Sequence, residues 1–153
     1  MSSIIVDKTD IKDMRRGFNT LHLQMRKAAN KVLLSGGNKM RNHIIKSFNS
    51  PKTGIKRPRT GAEGTYRSSA PGETPAVDTG RLRNALSVMP DFHKVSVTSV
   101  TVGFKEGSGV NYAIPLELML DRPFMKPAAQ ELSRPIMDKM EEEISKVLAL
   151  YDK

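Results

Sequence analysis

An apolar stripe through the first fifty residues constrains the fold of this chain most strongly. Apolar side chains recur at spacings of three and four, which places them on one face of a helix. The stripe consists of Ile11, Met14, Phe18, Leu21, Met25, Ala28 and Val32, and its phase continues at Met40, Ile44 and Phe48. We therefore expect residues 1–49 to form a long helical region.

The pair Gly36-Gly37 lies inside this stripe and has two interpretations. Each glycine in a helix interior costs about 1 kcal/mol relative to alanine. The favoured interpretation is a break between two helices. The alternative is one continuous helix, perhaps kinked, that a neighbouring helix approaches closely at the glycines.

Residues 50–80 change character and predict a long basic loop. Four prolines and five glycines alternate there, so no regular element can run far. A loop of this length is usually functional or disordered. We expect it to reach towards a neighbouring subunit or a DNA channel through Lys52, Lys56, Arg57, Arg59 and Arg67.

Residues 81–120 are expected to form a small antiparallel sheet. A helical turn from Leu82 leads into a first strand, and Pro90-Asp91 signals a turn. The segment 95–104 alternates apolar residues with Ser and Thr, which is typical of a strand. Its phase slips at Ser99, which predicts a β-bulge or a tight hairpin. The apolar segment 110–120 is expected to be a short edge strand or a short helix.

Residues 121–153 show the helical period again and predict a C-terminal helix. Pro127 suits a first helical turn, where a missing amide costs nothing. Pro135 falls inside the pattern and predicts a kink, or a helix that starts one turn later. The predicted fold is therefore a single α+β domain, with the two helical regions packed on the small sheet.

Composition excludes several classes of function. The chain of 153 residues has no Cys, which excludes disulfides and thiolate metal sites. Its three His residues have no metal-ligand spacing, and no P-loop or nucleophile elbow is present. We therefore expect no enzymatic activity, no cofactor and no metal. No apolar run is long enough for a membrane span.

The net charge of +9 is unevenly distributed. Residues 1–60 hold 14 Lys or Arg against 3 Asp or Glu, whereas residues 61–153 hold 11 against 13. A basic half of this kind favours an acidic partner, such as DNA, an acidic protein surface or neighbouring copies of the chain.

Three short motifs occur in a distinctive order. They are Asp78-Thr79-Gly80-Arg81-Leu82-Arg83, Tyr112-Ala113 with Glu117 five residues after the tyrosine, and Arg122-Pro123-Phe124-Met125-Lys126-Pro127-Ala128. Together with the leading basic helix and the closing helix, they resemble the neck, or tail-completion, proteins of long-tailed bacteriophages. One departure is Leu118-Met119-Leu120-Asp121, where family members often have Gly-Thr.

The resemblance implies a non-catalytic virion subunit that completes the tail or neck so that head and tail join. It implies a homo-oligomeric ring, hexameric or dodecameric, at the head–tail junction, assembled in the host cytoplasm. The implied partners are head connector or stopper proteins and tail terminator or tube proteins, with possible non-specific contact to packaged DNA and no membrane.

Individual residues receive roles on this basis. Arginine is enriched at protein–protein hot spots, and the expected interface residues are Arg81, Arg83, Arg122, Glu117 and Tyr112. The expected fold anchors are Thr79, Gly80, Leu82, Pro123, Phe124, Pro127 and Ala128.

Two alternatives stay open. Within the same class, the chain could be a tail terminator or a head-closure subunit. From another class, it could be a basic nucleic-acid-binding protein without sequence preference, because Lys56-Arg57-Pro58-Arg59 with Tyr66 nearby is typical of a phosphate-contacting segment.

Overall fold

The computed structural model describes residues 8–93 and 96–151. These residues form a mixed helical and stranded fold, which confirms the predicted α+β class. Two small antiparallel sheets of two strands each accompany a long N-terminal helix and a C-terminal helix. The elements are α1 (Lys8–Phe48), β1 (Lys56–Pro58), β2 (Thr65–Arg67), α2 (Arg81–Ala85), β3 (Leu86–His93), β4 (Ser96–Phe104), α3 (Ala113–Leu118) and α4 (Met125–Leu148).

Helix α1 runs without interruption through Gly36-Gly37, so the favoured break is wrong. A Cβ atom on Gly36 would lie 3.0 Å from Ile136 Cγ2 of α4. A Cβ atom on Gly37 would lie 2.5 Å from Val100 Cγ1 of β4. The two glycines therefore let α4 and the sheet approach the same turn of α1, and this close packing offsets their low helix propensity.

Strands β3 and β4 form a hairpin that packs on α1. Asp91 pairs with Ser99 and the next residue, Phe92, pairs with Val97, so a bulge lies at residue 98. The predicted irregularity near Ser99 is thereby confirmed. The predicted turn at Pro90-Asp91 is wrong, because both residues lie inside β3. Each strand of this sheet has one paired neighbour, and a proline without an N–H is tolerated on such an edge.

The Pro/Gly-rich loop folds back on the body. Its only regular elements within the described residues are β1 and β2, which pair antiparallel. The Thr74 hydroxyl donates to the Ser47 carbonyl at 2.8 Å, which ties the loop to the end of α1. The amide of Gly72 donates to the Asp121 carbonyl at 2.6 Å, which ties it to the turn before α4.

The two uncertain C-terminal segments are now defined. Residues 113–118 form the short helix α3, one of the two predicted alternatives. Helix α4 already begins at Met125 and contains Pro135, so the predicted later start is wrong.

The hydrophobic core lies at the C-terminal end of α1. Phe124 is 2% exposed, and its ring meets Phe48 and Phe104 edge-on with centroids 5.2 and 6.1 Å apart. Such edge-to-face pairs add to the stabilisation that burial provides. The rest of the buried cluster is Ile44, Leu86, Ala113 and Ala128. Among the described residues, no helix is both long and apolar enough to cross a bilayer.

Candidate functional site

Parts of all three motifs meet around one cavity of about 240 Å³. It is enclosed by the loop and turn at residues 75–83, the start of α3 and the turn before α4. Its charged lining residues are Arg81, Arg83, Arg122 and a single carboxylate, Asp78. The cavity therefore carries an excess of positive charge.

Arg122 is the most unusual of these side chains. Its Nε atom is buried and has no hydrogen-bond partner. A buried donor without a partner costs free energy, and the cost is larger for a charged group. A carboxylate entering the cavity would relieve this cost through a charge-assisted hydrogen bond.

The Thr-Gly motif orients the other two arginines. Gly80 has φ +76°, a left-handed conformation that favours glycine, and α2 begins directly after it. Leu82 then packs against the core, while Arg81 is exposed. Arg83 Nη1 donates to Asn49 Oδ1 at 3.3 Å, which holds its guanidinium near the end of α1.

A more open depression of about 760 Å³ adjoins the first cavity. Both are lined by the turn from Asp78 to Gly80, and Asp78 is the single carboxylate of both linings. Hydrogen bonds from Thr60 hold the pKa of Asp78 below its usual value. We refer to the two depressions together as the arginine cleft, whose cations are Lys52, Arg59, Arg67, Arg81, Arg83 and Arg122.

Lys52, expected to face a channel, has partners within the chain. Its Nζ donates to Ser47 O at 2.9 Å, to Ser50 Oγ at 2.9 Å and to Thr74 Oγ1 at 2.6 Å. Desolvation lowers the pKa of Lys52, although the nearby Glu73 carboxylate opposes the shift. Lys52 therefore fastens the loop to α1.

Glu73 fastens the loop at a second point. Its carboxylate accepts the Ala70 amide at 2.8 Å and the Thr53 hydroxyl at 2.7 Å. The Ala70 amide is the largest cause of a lowered pKa at Glu73, followed by the Thr53 side chain. The folded loop thus has a polar frame of its own.

The remaining basic loop residues lie on or beside the β1–β2 hairpin. Arg59 Nη1 donates to the Asp78 carbonyl at 2.8 Å, and its guanidinium carbon lies 6.0 Å from the centre of the Tyr66 ring. Lys56 and Arg57 are exposed, and Lys56 pairs directly with Arg67 across the strands. Like charges opposite each other are destabilising in a sheet, so an external anion would stabilise this pair.

Glu117 has a role that the sequence did not reveal. Its carboxylate accepts the backbone amides of Phe124, Met125 and Lys126 at 2.7, 3.1 and 2.9 Å. These amides lie at the start of α4, where a helix has no internal acceptors. The next residue is Pro127, which has no N–H, so α3 caps α4 through one side chain.

The other motif residues surround the cleft and the core. Tyr112 is partly exposed, precedes α3 and lines the smaller cavity. The Thr79 hydroxyl accepts the Arg81 amide at 3.4 Å. Pro123 is half-buried, whereas Ala128 is buried against the core cluster.

A second surface feature, absent from the expected site, lies on the other side of α3. An apolar groove of about 210 Å³ is lined by Phe104, Ala113, Ile114, Glu117, Leu118, Phe124 and Met125. We refer to it as the α3 groove. Ile114 and Leu118 are 68% and 75% exposed, and Met119 and Leu120 continue the apolar surface. The available signal was the departure at 118–121, which places exposed apolar residues where the family often has Gly-Thr.

Within the part of the chain that the structure describes, no cluster of His, Cys, Asp or Glu could hold a metal ion. No family model, curated protein or solved structure matches this chain.

Proposed function

We propose that this chain is a non-catalytic neck or tail-completion subunit of a long-tailed bacteriophage. It forms a homo-oligomeric ring, a hexamer or a dodecamer, at the head–tail junction of the virion. The observation that carries the proposal is the convergence of three distant motifs on the arginine cleft. These are the motifs on which the resemblance rests, and their meeting at one surface favours a shared contact.

The arginine cleft serves as a contact for an acidic side chain of a neighbouring subunit or of a head or tail partner. The buried Nε of Arg122 supports this role, because it needs an acceptor from outside its own side-chain neighbourhood. Arg81 and Tyr112 lie at the same cavity and complete a mixed cationic and aromatic contact. Aromatic residues and arginine are typical anchors of protein interfaces.

Exposed apolar surface at two distant places also supports assembly. One lies on α1 at Ile11, Met14 and Phe18, and the other lies at the α3 groove. Contiguous exposed apolar patches mark protein–protein contacts. A closed ring with more than two members needs two different complementary surfaces on each subunit, and this chain offers two.

One second function is favoured by a specific observation. The cross-strand pair Lys56 and Arg67, with Arg57 beside it, would suit sequence-independent binding of nucleic acid. In the ring, the same residues would face packaged DNA in the channel. As a stand-alone activity, they would define a nucleic-acid-binding protein instead.

The test is negative-stain electron microscopy of lysates from a phage with a nonsense mutation in this gene. We expect filled heads beside separate tails of normal length. Tails of uncontrolled length would move the assignment to a tail terminator. Normal infectious particles would overturn the structural role and favour the nucleic-acid-binding alternative.

A further inference from the structure

The N-terminal arm of α1, residues 8–20, has no cover within the described chain. Helices α1 and α4 run antiparallel, since Gly36 lies against Ile136 while Lys31 pairs with Glu143 at 3.4 Å. Helix α4 ends at Leu148, and every residue of the arm is exposed. The arm therefore projects beyond the body by about 20 Å, at 1.5 Å per residue.

The arm carries the part of the apolar stripe that the chain leaves uncovered. Ile11, Met14 and Phe18 are 56%, 64% and 65% exposed, whereas Val32 of the same stripe is 4% exposed. An isolated helix of about 13 residues is marginally stable in water. A packing partner along this face would stabilise it.

The α3 groove is a surface of the same molecule with matching chemistry. Ile114 and Leu118 form its exposed rim, and the aromatic rings of Phe104 and Phe124 lie among its lining residues. An aromatic side chain from outside would fill the groove and meet these rings. Phe18 is the largest exposed apolar side chain of the arm.

Charge favours pairing of the arm with the groove over pairing of two arms. The arm holds four cations, Lys8, Lys12, Arg15 and Arg16, against Asp10 and Asp13. Residues 106–121, which include α3, hold three carboxylates and no Lys or Arg. Two arms side by side would instead bring like net charges together.

We infer that the arm of one copy docks on a second copy, with Phe18 inserted into the α3 groove. The inference rests on the proposed ring and names the contact that closes it. Because the two surfaces differ, each copy gives its arm to one neighbour and receives an arm from the other. Such a head-to-tail contact generates a ring when its rotation closes.

Cysteine cross-linking tests this contact in the full chain, which contains no native Cys. A tagged Phe18→Cys variant is mixed with an untagged Leu118→Cys variant under mild oxidation. Both positions are exposed, so neither substitution removes a core contact. We expect a disulfide-linked heterodimer of tagged and untagged chains on a non-reducing gel.

The matched control is a Leu23→Cys variant mixed with the Leu118→Cys variant. Leu23 is also exposed on α1 but lies outside the apolar stripe. We expect at least about tenfold more heterodimer from the Phe18 pair, because a specific contact raises the effective concentration of the two thiols. Equal yields, or no heterodimer, would overturn the inference. Predominant cross-linking of the Phe18→Cys variant to itself would overturn it in favour of arm-to-arm pairing.

A chain carrying both Phe18→Cys and Leu118→Cys extends the test to the whole assembly. We expect a ladder of cross-linked species that stops at the size of the ring. A ladder that stops at two chains would contradict a head-to-tail ring. This result does not depend on phage morphology, so the contact can fail while the joining role stands, and the reverse also holds.

Discussion

At the scale of single residues, Glu117 connects two helices through one carboxylate. Three backbone amides at the start of α4 depend on it. We predict that Glu117→Ala lowers the free energy of unfolding by about 1–2 kcal/mol, the range for loss of a helix cap. Urea denaturation measures the loss. Glu141→Ala, at an exposed position of α4, is the control, and an equal effect of both would contradict the capping role.

The glycines of α1 give a second prediction at this scale. A Cβ atom at Gly37 would lie 2.5 Å from Val100 Cγ1 and 3.0 Å from Val88 Cγ1. Overpacking of this kind costs about 1–3 kcal/mol, and the gain in helix propensity offsets about 1 kcal/mol of that. We predict that Gly37→Ala lowers the thermal unfolding midpoint.

Gly17→Ala is the matched control for that substitution. Gly17 lies in the same helix, and a Cβ atom there would meet no atom within 4 Å. We predict a gain of up to about 1 kcal/mol, because alanine is the better helix former. A gain at Gly37 as large as that at Gly17 would show that the close packing at Gly37 does not limit the side chain.

These residues also show where a sequence-based prediction ends. Glycine in a helix interior has the same intrinsic cost whether a helix breaks there or packs closely, so the sequence left both interpretations open at Gly36-Gly37. The three bonds of Glu117 depend on a turn that brings α3 against the start of α4. No periodicity encodes that turn, so Glu117 was interpreted as an interface residue.

At the scale of elements, a cluster of ion pairs joins α1 to α4. Glu143 accepts from Lys146 at 3.0 Å, from Lys139 at 3.3 Å and from Lys31 of α1 at 3.4 Å. Hydrogen bonding from Lys146, and then from Lys139, holds the pKa of Glu143 at about 2, below its ordinary value of 4.5. The acidic run of α4 thus finds a basic partner on its own α1.

This cluster predicts a specific pH dependence. A folded-state pKa below the unfolded value means that Glu143 stabilises the fold above pH 4.5, and that this stabilisation is lost as pH falls from 4.5 towards 2. We predict that Glu143→Gln lowers the urea midpoint at pH 7 and that the difference from wild type disappears near pH 2. Glu142 is the comparator, because its partners Lys139 and Lys146 lie on α4 alone. A difference between wild type and Glu143→Gln that is independent of pH would contradict the assignment.

Elements with a clear period were predictable, and elements defined by pairing were less so. The stripes of α1 and α4 and the alternation of β4 each reflect one buried face, which the sequence records directly. Pro90 is a turn residue by its local preference, yet its place in a two-stranded sheet tolerates the missing amide. Tertiary pairing therefore overrode the local signal.

At the scale of the whole molecule, the predicted α+β class is confirmed and the positions of the motifs become meaningful. Three segments that are far apart in sequence line one cationic cavity. The sequence identified Arg81, Arg83 and Arg122 as candidates but contained no information that they meet. The α3 groove and the uncovered arm of α1 became visible only with the exposure of each side chain.

The central claim is that this subunit joins heads to tails, and an in vitro joining assay tests it most directly. Purified protein is added to a nonsense-mutant lysate that contains filled heads and separate tails, and plaque-forming units are counted. We predict that the wild-type protein restores infectious particles by orders of magnitude. Arg122→Gln should restore far fewer, whereas Arg134→Gln, an exposed arginine on α4, should match the wild type. Failure of the wild-type protein to raise the titre would contradict the joining role, and full activity of Arg122→Gln would contradict the role of the arginine cleft.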